Sequence, residues 1–181
     1  MRRDAWVFGY GSLMWDPGFA YLEARPARLR GWHRAFVLLS HEAWGTRQRP
    51  GMVLALLPGG GCQGMAYRVA AANWRQTRAY LRRREGAYRH LQVPIEIGAG
   101  TATALTFAGD PSHARYAGKL PIATTARLIA QGEGWKGTSR GYLAGTVGAV
   151  RRMGRRPEPG LDHLLAAVRA INGEGPISRA R

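Results

Sequence analysis

Cysteine is almost missing from this chain. Cys62 stands alone, so no internal disulfide can form, and a reducing compartment, the cytoplasm, is the expected setting. Lysine is nearly absent too, at Lys119 and Lys136 only, and acidic residues number 11 against 27 Lys+Arg, a formal net charge of +16 carried mostly by arginine. No apolar run approaches the ~20 residues that cross a bilayer. Met1-Arg2-Arg3-Asp4 has no long apolar segment behind it before Gly9, so neither a membrane span nor a signal peptide is expected. His33, His41, His90, His113 and His163 show no metal-ligand spacing with cysteine or carboxylates, so they read as surface or structural groups and no metal or cofactor is expected. Repeats, linkers and a second core are also missing. The expectation is one domain over residues 1–181, with a core over about 5–173 and a frayed tail from Glu174 to Arg181.

The arginines admit two readings: a surface for nucleic acid or another polyanion, or heavy arginine usage spread over an ordinary enzyme. They are scattered, with short clusters at Arg82-Arg83-Arg84 and at Arg151-Arg152 with Arg155-Arg156. No nucleic-acid motif accompanies them, so nucleic acid is not expected as the main partner. A positive field also draws in a small anionic ligand.

What is present is 45% apolar residues, enough for a globular core, and one stretch that organises the rest: Trp6-Val7-Phe8-Gly9-Tyr10-Gly11-Ser12-Leu13-Met14-Trp15. Trp6, Val7 and Phe8 suit a strand. Glycine then permits a tight turn, and a strand opening into such a turn points several backbone N–H groups at one spot, a nest for an anion. A plain turn is the other reading. The stretch is neither a G-x-S-x-G nucleophile elbow nor a lysine-bearing phosphate loop.

Strands are expected over Tyr21–Arg30 and Trp32–Ser40, parted at Gly31. They follow over Met52–Leu57 and Cys62–Val69, joined by the Pro58–Gly61 turn, and over Leu91–Ile97 and Thr101–Phe107. Between them the period changes. Asn73 caps a predicted helix on which Trp74, Thr77, Leu81, Glu85 and Tyr88 share a stripe, with Arg82, Arg83 and Arg84 turned toward solvent. Further helices are predicted between Pro121 and Gly132, from a Ser139 cap to Gly154, and over Leu161–Ile171 before Gly173. Strands in the first half and helices in the second make the fold class α+β.

Glu85 is the residue of interest. A carboxylate on an apolar stripe is costly unless paired, and such groups can trade protons near neutral pH. An ion pair with Arg82 or Arg89 is the competing structural role. Tyr10, Tyr88, Tyr116 and Tyr142 offer hydroxyls, although a buried tyrosine commonly serves the core. Cys62, with no histidine partner in view, reads as a small core residue.

In their order, Val7–Trp15 with Pro17-Gly18-Phe19, Gly31–Phe36, Arg49-Pro50-Gly51, Gly64–Val69, Tyr80–Tyr88, Ala104–Phe107, Tyr116-Ala117-Gly118 and Gly141-Tyr142-Leu143 closely resemble the ChaC-like gamma-glutamylcyclotransferase family over most of residues 6–170. The resemblance implies a small mixed β-barrel with helices packed around it. It also implies a reaction: cyclisation of the gamma-glutamyl group of glutathione to 5-oxoproline with release of Cys-Gly. Glu85 would be the general acid/base, and the backbone of Tyr10, Gly11, Ser12 and Leu13 would hold the glutamyl carboxylate or the developing oxyanion. Tyr88 and Tyr142 would line the pocket. Thr138-Ser139-Arg140 stands where the family pattern leads one to expect an asparagine, which leaves another gamma-glutamyl amine as the alternative substrate. A non-catalytic binding protein of the same fold, for a small molecule or nucleic acid, is the alternative of another class.

Overall fold

Alternation of apolar and polar residues sets the strands, and the computed structural model describes them within residues 3–173; the tail expected from Glu174 onward lies outside the described residues. The elements in order are β1 (Ala5–Gly9), β2 (Glu23–Ser40), β3 (Gly51–Val69), α1 (Trp74–Arg84), β4 (Tyr88–Ile97), β5 (Gly100–Gly109), α2 (Ile122–Gln131), β6 (Glu133–Gly134), β7 (Gly137–Thr138), α3 (Ser139–Arg152) and α4 (Pro159–Ile171). Strands β1 to β5 close into a barrel in the order β1-β3-β2-β4-β5, as the α+β expectation with its small mixed barrel required. β1 runs antiparallel to β3, Ala5 opposite Val69, and parallel to β5, Trp6 opposite Ala104. β4 and β5 form a ladder from Tyr88↔Gly109 to Ile97↔Gly100.

Two breaks expected between strands lie inside single strands. The strands expected on either side of Gly31 are one, β2, because Gly31 adopts φ +76° and so bends the strand without ending it. The Pro58–Gly61 turn lies inside β3, with Gly59 and Gly60 at positive φ.

The chain divides into two compact units. One takes the chain up to Ala35 and again over Leu54–Tyr116; the other takes Phe36–Val53 and the chain from Ala117 on. In the first, Phe8, Leu29, Leu56, Leu81, Ile95 and Phe107 are fully buried, each burial worth about 1.5–3 kcal/mol. In the second, α2, α3 and α4 pack on one another through residues such as Ile129, Leu143, Val150 and Val168. Ser139, expected as the cap of α3, is its first residue. The cap is Thr138, whose hydroxyl accepts from the Gly141 N–H at 3.0 Å. Ser139 instead uses its buried hydroxyl on both backbone groups of Met52, at 3.0 and 2.7 Å. Among the described residues no helix is long and apolar enough to cross a membrane.

Candidate active site

Beyond Gly9 the chain leaves β1 and makes a short 3-10 turn over Ser12–Met14. Its carbonyls are taken up one after another. The Tyr10 carbonyl accepts from Arg34 Nη1 at 2.6 Å, and that of Gly11 accepts from the Met14 N–H at 2.9 Å. The Ser12 carbonyl accepts from the N–H groups of Trp15 and Asp16, and the Leu13 carbonyl from the Tyr67 hydroxyl at 2.7 Å. Among the described residues, the N–H groups of Gly11, Ser12 and Leu13 have no backbone acceptor. The turn is therefore pinned through its acceptors, and backbone N–H groups left without a backbone acceptor are the kind that form an anion nest.

Two buried groups do the pinning. Arg34, only 7% exposed, lies beneath the turn and also donates to the Gln63 carbonyl through Nη2. Burial pushes the Tyr67 hydroxyl well above its ordinary value of 10, so it stays a proton donor to Leu13 at neutral pH. The Tyr10 side chain is buried, and its hydroxyl donates to the Phe107 carbonyl at 2.5 Å. Its contribution to the turn is the main chain.

Glu85 follows the last residue of α1. Its N–H bonds to the Leu81 carbonyl at 2.8 Å and closes the helix, while its own carbonyl accepts from the Tyr88 N–H at 3.2 Å and faces His90 Nε2 at 3.1 Å. The predicted stripe thus ends as a helix at Arg84, and Tyr88 begins β4 with its hydroxyl on the Leu54 carbonyl at 2.9 Å. The Glu85 side chain is 12% exposed, and its Oε1 lies 3.2 Å from Nε of Arg84, which is 10% exposed. The partner is Arg84, where helical spacing pointed to Arg82 or Arg89. Arg82 and Arg83 are exposed as expected; Arg84 is turned inward.

Arg84 joins the two halves of the site. Its guanidinium donates to Ser12 Oγ at 3.0 Å, to the Asp16 carbonyl at 2.7 Å, to the Pro17 carbonyl at 3.2 Å and to the Tyr80 hydroxyl at 2.8 Å. It also faces the Asp16 carboxylate at 3.7 Å. Tyr10, Gly11, Ser12, Leu13, Glu85 and Tyr88 all belong to the first unit, and a side chain that sequence reasoning assigned to solvent ties the turn to the carboxylate. The seventh predicted residue, Tyr142, is in the second unit, 4% exposed, its ring edge-on to Phe36 at 6.0 Å and to Trp44 at 5.3 Å. Cys62 is buried, as a core residue should be. Among the described residues no cluster of three or more His, Cys, Asp or Glu is arranged to hold a metal ion. Chemically, the first unit offers a fixed row of N–H donors and one largely desolvated carboxylate, the parts needed to hold an anionic group and move a proton beside it.

Residues 5–171 match the family model described as ChaC-like protein. The chain is 36% identical over 173 residues to the glutathione-specific gamma-glutamylcyclotransferase of Escherichia coli (strain K12), a match that covers 93% of this chain and 74% of that one. It is 33% identical over 181 residues to glutathione-specific gamma-glutamylcyclotransferase 1 of Rattus norvegicus, covering 96% and 81%. A solved gamma-glutamyl cyclotransferase specific to glutathione from yeast, 21% identical, shares the fold with a TM-score of 0.87 over 98% of this chain and 99% of that one. With a family match that runs through both units and relatives above 30% identity over most of their own length, the chain belongs to the ChaC-like family.

Proposed function

We propose that this protein is a gamma-glutamylcyclotransferase that cyclises the gamma-glutamyl group of glutathione, with Glu85 as its general acid/base. The observation that carries the reading is the Glu85 carboxylate, 12% exposed and joined through Arg84 to the Gly11–Leu13 turn. Two relatives named as glutathione-specific gamma-glutamylcyclotransferases, each covering most of the chain, support the choice of substrate.

The substrate carries both reactants. Its α-amine attacks its own γ-carbonyl carbon, so binding a folded conformer supplies effective molarity that a bimolecular reaction lacks. Glu85 takes a proton from the attacking nitrogen. Negative charge gathers on the γ-oxygen as the tetrahedral centre forms, and the turn's N–H groups offer it, or the substrate's α-carboxylate, fixed donors. The centre collapses, the bond to the cysteinyl nitrogen breaks, and Glu85 returns the proton to that nitrogen. The products are 5-oxoproline and Cys-Gly; no water is consumed and no covalent enzyme intermediate forms. Tyr88 and Tyr142 belong to this reading as pocket-lining groups. Ser139, in the segment that departs from the family pattern, commits its hydroxyl to Met52, which makes it structural. The family match through both units supports one catalytic domain, and the single cysteine supports a cytoplasmic setting.

The test incubates wild type and Glu85→Gln with glutathione and measures 5-oxoproline and Cys-Gly together. Equal amounts from wild type are expected, with a loss of at least about 10²-fold in a mutant that still folds, since general acid–base catalysis is worth about 10²–10⁴. Full activity in the mutant would sink the assignment of Glu85. Silence of wild type on glutathione, with turnover of another gamma-glutamyl amine in the same assay, would overturn the substrate.

A further inference from the structure

The outer face of α1 carries arginines that the site does not use. Arg75, Arg78 and Arg82 stand three and four residues apart, on one side of the helix. With Arg3 and Trp74 they line a groove of about 670 Å³. A second hollow of about 380 Å³ shares Arg78 and Arg82 and adds His90 and Gln92. No aspartate or glutamate lines either. Some arginines elsewhere are compensated: Arg25 and Arg68 pair with Glu23, Arg30 with Glu96, Arg84 with Glu85 and Arg151 with Asp162. Among the described residues, Arg3, Arg75, Arg78 and Arg82 have no such carboxylate.

We infer that this groove binds the backbone of single-stranded nucleic acid, with guanidinium groups on successive phosphates and a base against the half-buried ring of Trp74. The three helix arginines span about 10 Å at about 1.5 Å per residue, roughly the reach of two or three phosphates. A positive track beside an aromatic face is how proteins hold single strands without reading sequence. A membrane surface fits less well. Peripheral helices press exposed apolar residues into lipid, whereas the exposed large apolar side chains here are Tyr21, Leu22, Ile122, Trp135 and Ile171, none of them on α1. A duplex would leave Trp74 without a partner. Neither Trp74 nor Arg3, Arg75, Arg78 or Arg82 takes part in the Glu85–Arg84 contacts, so this inference stands apart from the catalytic reading.

The experiment must separate the groove from the overall charge of +16. Fluorescence anisotropy of labelled single-stranded DNA and RNA, about a dozen nucleotides long to match one binding module, is followed through a salt series. Three variants are compared: Arg75→Glu/Arg78→Glu/Arg82→Glu, the charge-matched Arg152→Glu/Arg155→Glu/Arg156→Glu, and Trp74→Ala. The groove variant should bind at least about tenfold more weakly, with a salt slope shallower by about 2, at about 0.7 for each phosphate no longer neutralised. The charge-matched control should stay near wild type. Trp74→Ala should weaken the oligonucleotides about tenfold, in the range for one stacked base, and leave inorganic polyphosphate unaffected. Circular dichroism checks folding, and the neutral Arg→Gln triple serves if the reversal disturbs α1. Equal losses in the two charge variants would reduce the effect to net charge and overturn the inference. So would binding to phosphatidylglycerol vesicles in preference to the oligonucleotides, or an unchanged affinity in Trp74→Ala.

Discussion

Replacing Arg84 by alanine tests the architecture of the site more severely than replacing any other residue around it. The guanidinium makes four hydrogen bonds between 2.7 and 3.2 Å, three of them to the segment Ser12–Pro17, and pairs with Glu85 at 3.2 Å. Removing one member of a buried pair costs about 3–5 kcal/mol. Both side chains here are about a tenth exposed, and the released carbonyls can turn toward water, so the lower end, about 3 kcal/mol, is the expected loss. At about 2–4 °C per kcal/mol for a domain of this size, the melting midpoint should fall by about 6–12 °C. Activity should fall further than stability, because a displacement of about 1 Å at a reacting group can cost about 10²-fold. Arg84→Lys keeps the charge but not the planar fork, and one ammonium cannot serve acceptors spread from Ser12 to Tyr80; its loss should lie between those of wild type and alanine. Thermal unfolding and steady-state kinetics on glutathione measure the two effects. An alanine variant that melts within about 2 °C of wild type and keeps its kcat would refute the claim that Arg84 couples the turn to Glu85.

Tyr67→Phe removes the hydroxyl that fixes the Leu13 carbonyl; a cost of about 1 kcal/mol and a raised KM for glutathione are expected, and an unchanged KM would count against the turn as a substrate-binding element. Gly9→Ala places a Cβ 2.7 Å from Leu13 Cβ, so a loss of about 1–3 kcal/mol with impaired turnover should appear in melting and rate measurements. Acid should destabilise the fold through Glu23 and Glu96, whose carboxyls are held below their ordinary value of 4.5 mainly by hydrogen bonds from Arg68 and Arg30 respectively. Lowered values in the folded state mean that their contribution is complete above about pH 4.5 and is lost as the pH falls through the depressed values. The melting temperature of Glu23→Gln/Glu96→Gln should therefore depend less steeply on pH below that point.

Much of this was legible in the residue pattern, and the exceptions share a cause. The β4–β5 hairpin, the α2 bracket of Pro121 and Gly132, and the amphipathic α4 follow from local propensity and periodicity, and the tertiary structure did not override them. Glu85 was legible because a carboxylate in line with Leu81 is conspicuous. Arg34 and Arg84 were not. Each has other arginines nearby in sequence, and only the fold decides which guanidinium turns inward: Arg82, Arg83 and Arg84 are identical as letters, yet one fastens the Ser12–Met14 turn and two face water. Gly31 misled for the opposite reason. Its freedom suits a break in a strand as well as a bend, and pairing along the barrel chose the bend.

The hidden arginines follow from the chemistry assigned to the turn. An intramolecular cyclisation needs little more than a held conformer, a proton carrier and fixed dipoles where charge develops. Backbone N–H groups supply such dipoles without any side chain, so what the sequence shows of this part of the site is little more than glycines and their spacing. Dipoles help only if they are already oriented, and a glycine-rich turn is flexible by itself. The rigidity has to come from outside the turn, through strong donors that occupy its carbonyls. Arg34 on the Tyr10 carbonyl and Tyr67 on that of Leu13 are those donors, with Arg84 on the Ser12 hydroxyl and the Asp16 carbonyl beside them, and they come from β2, β3 and α1. Two of the three are always charged, which makes their hydrogen bonds stronger than neutral ones and keeps them in place as the pH varies around neutrality.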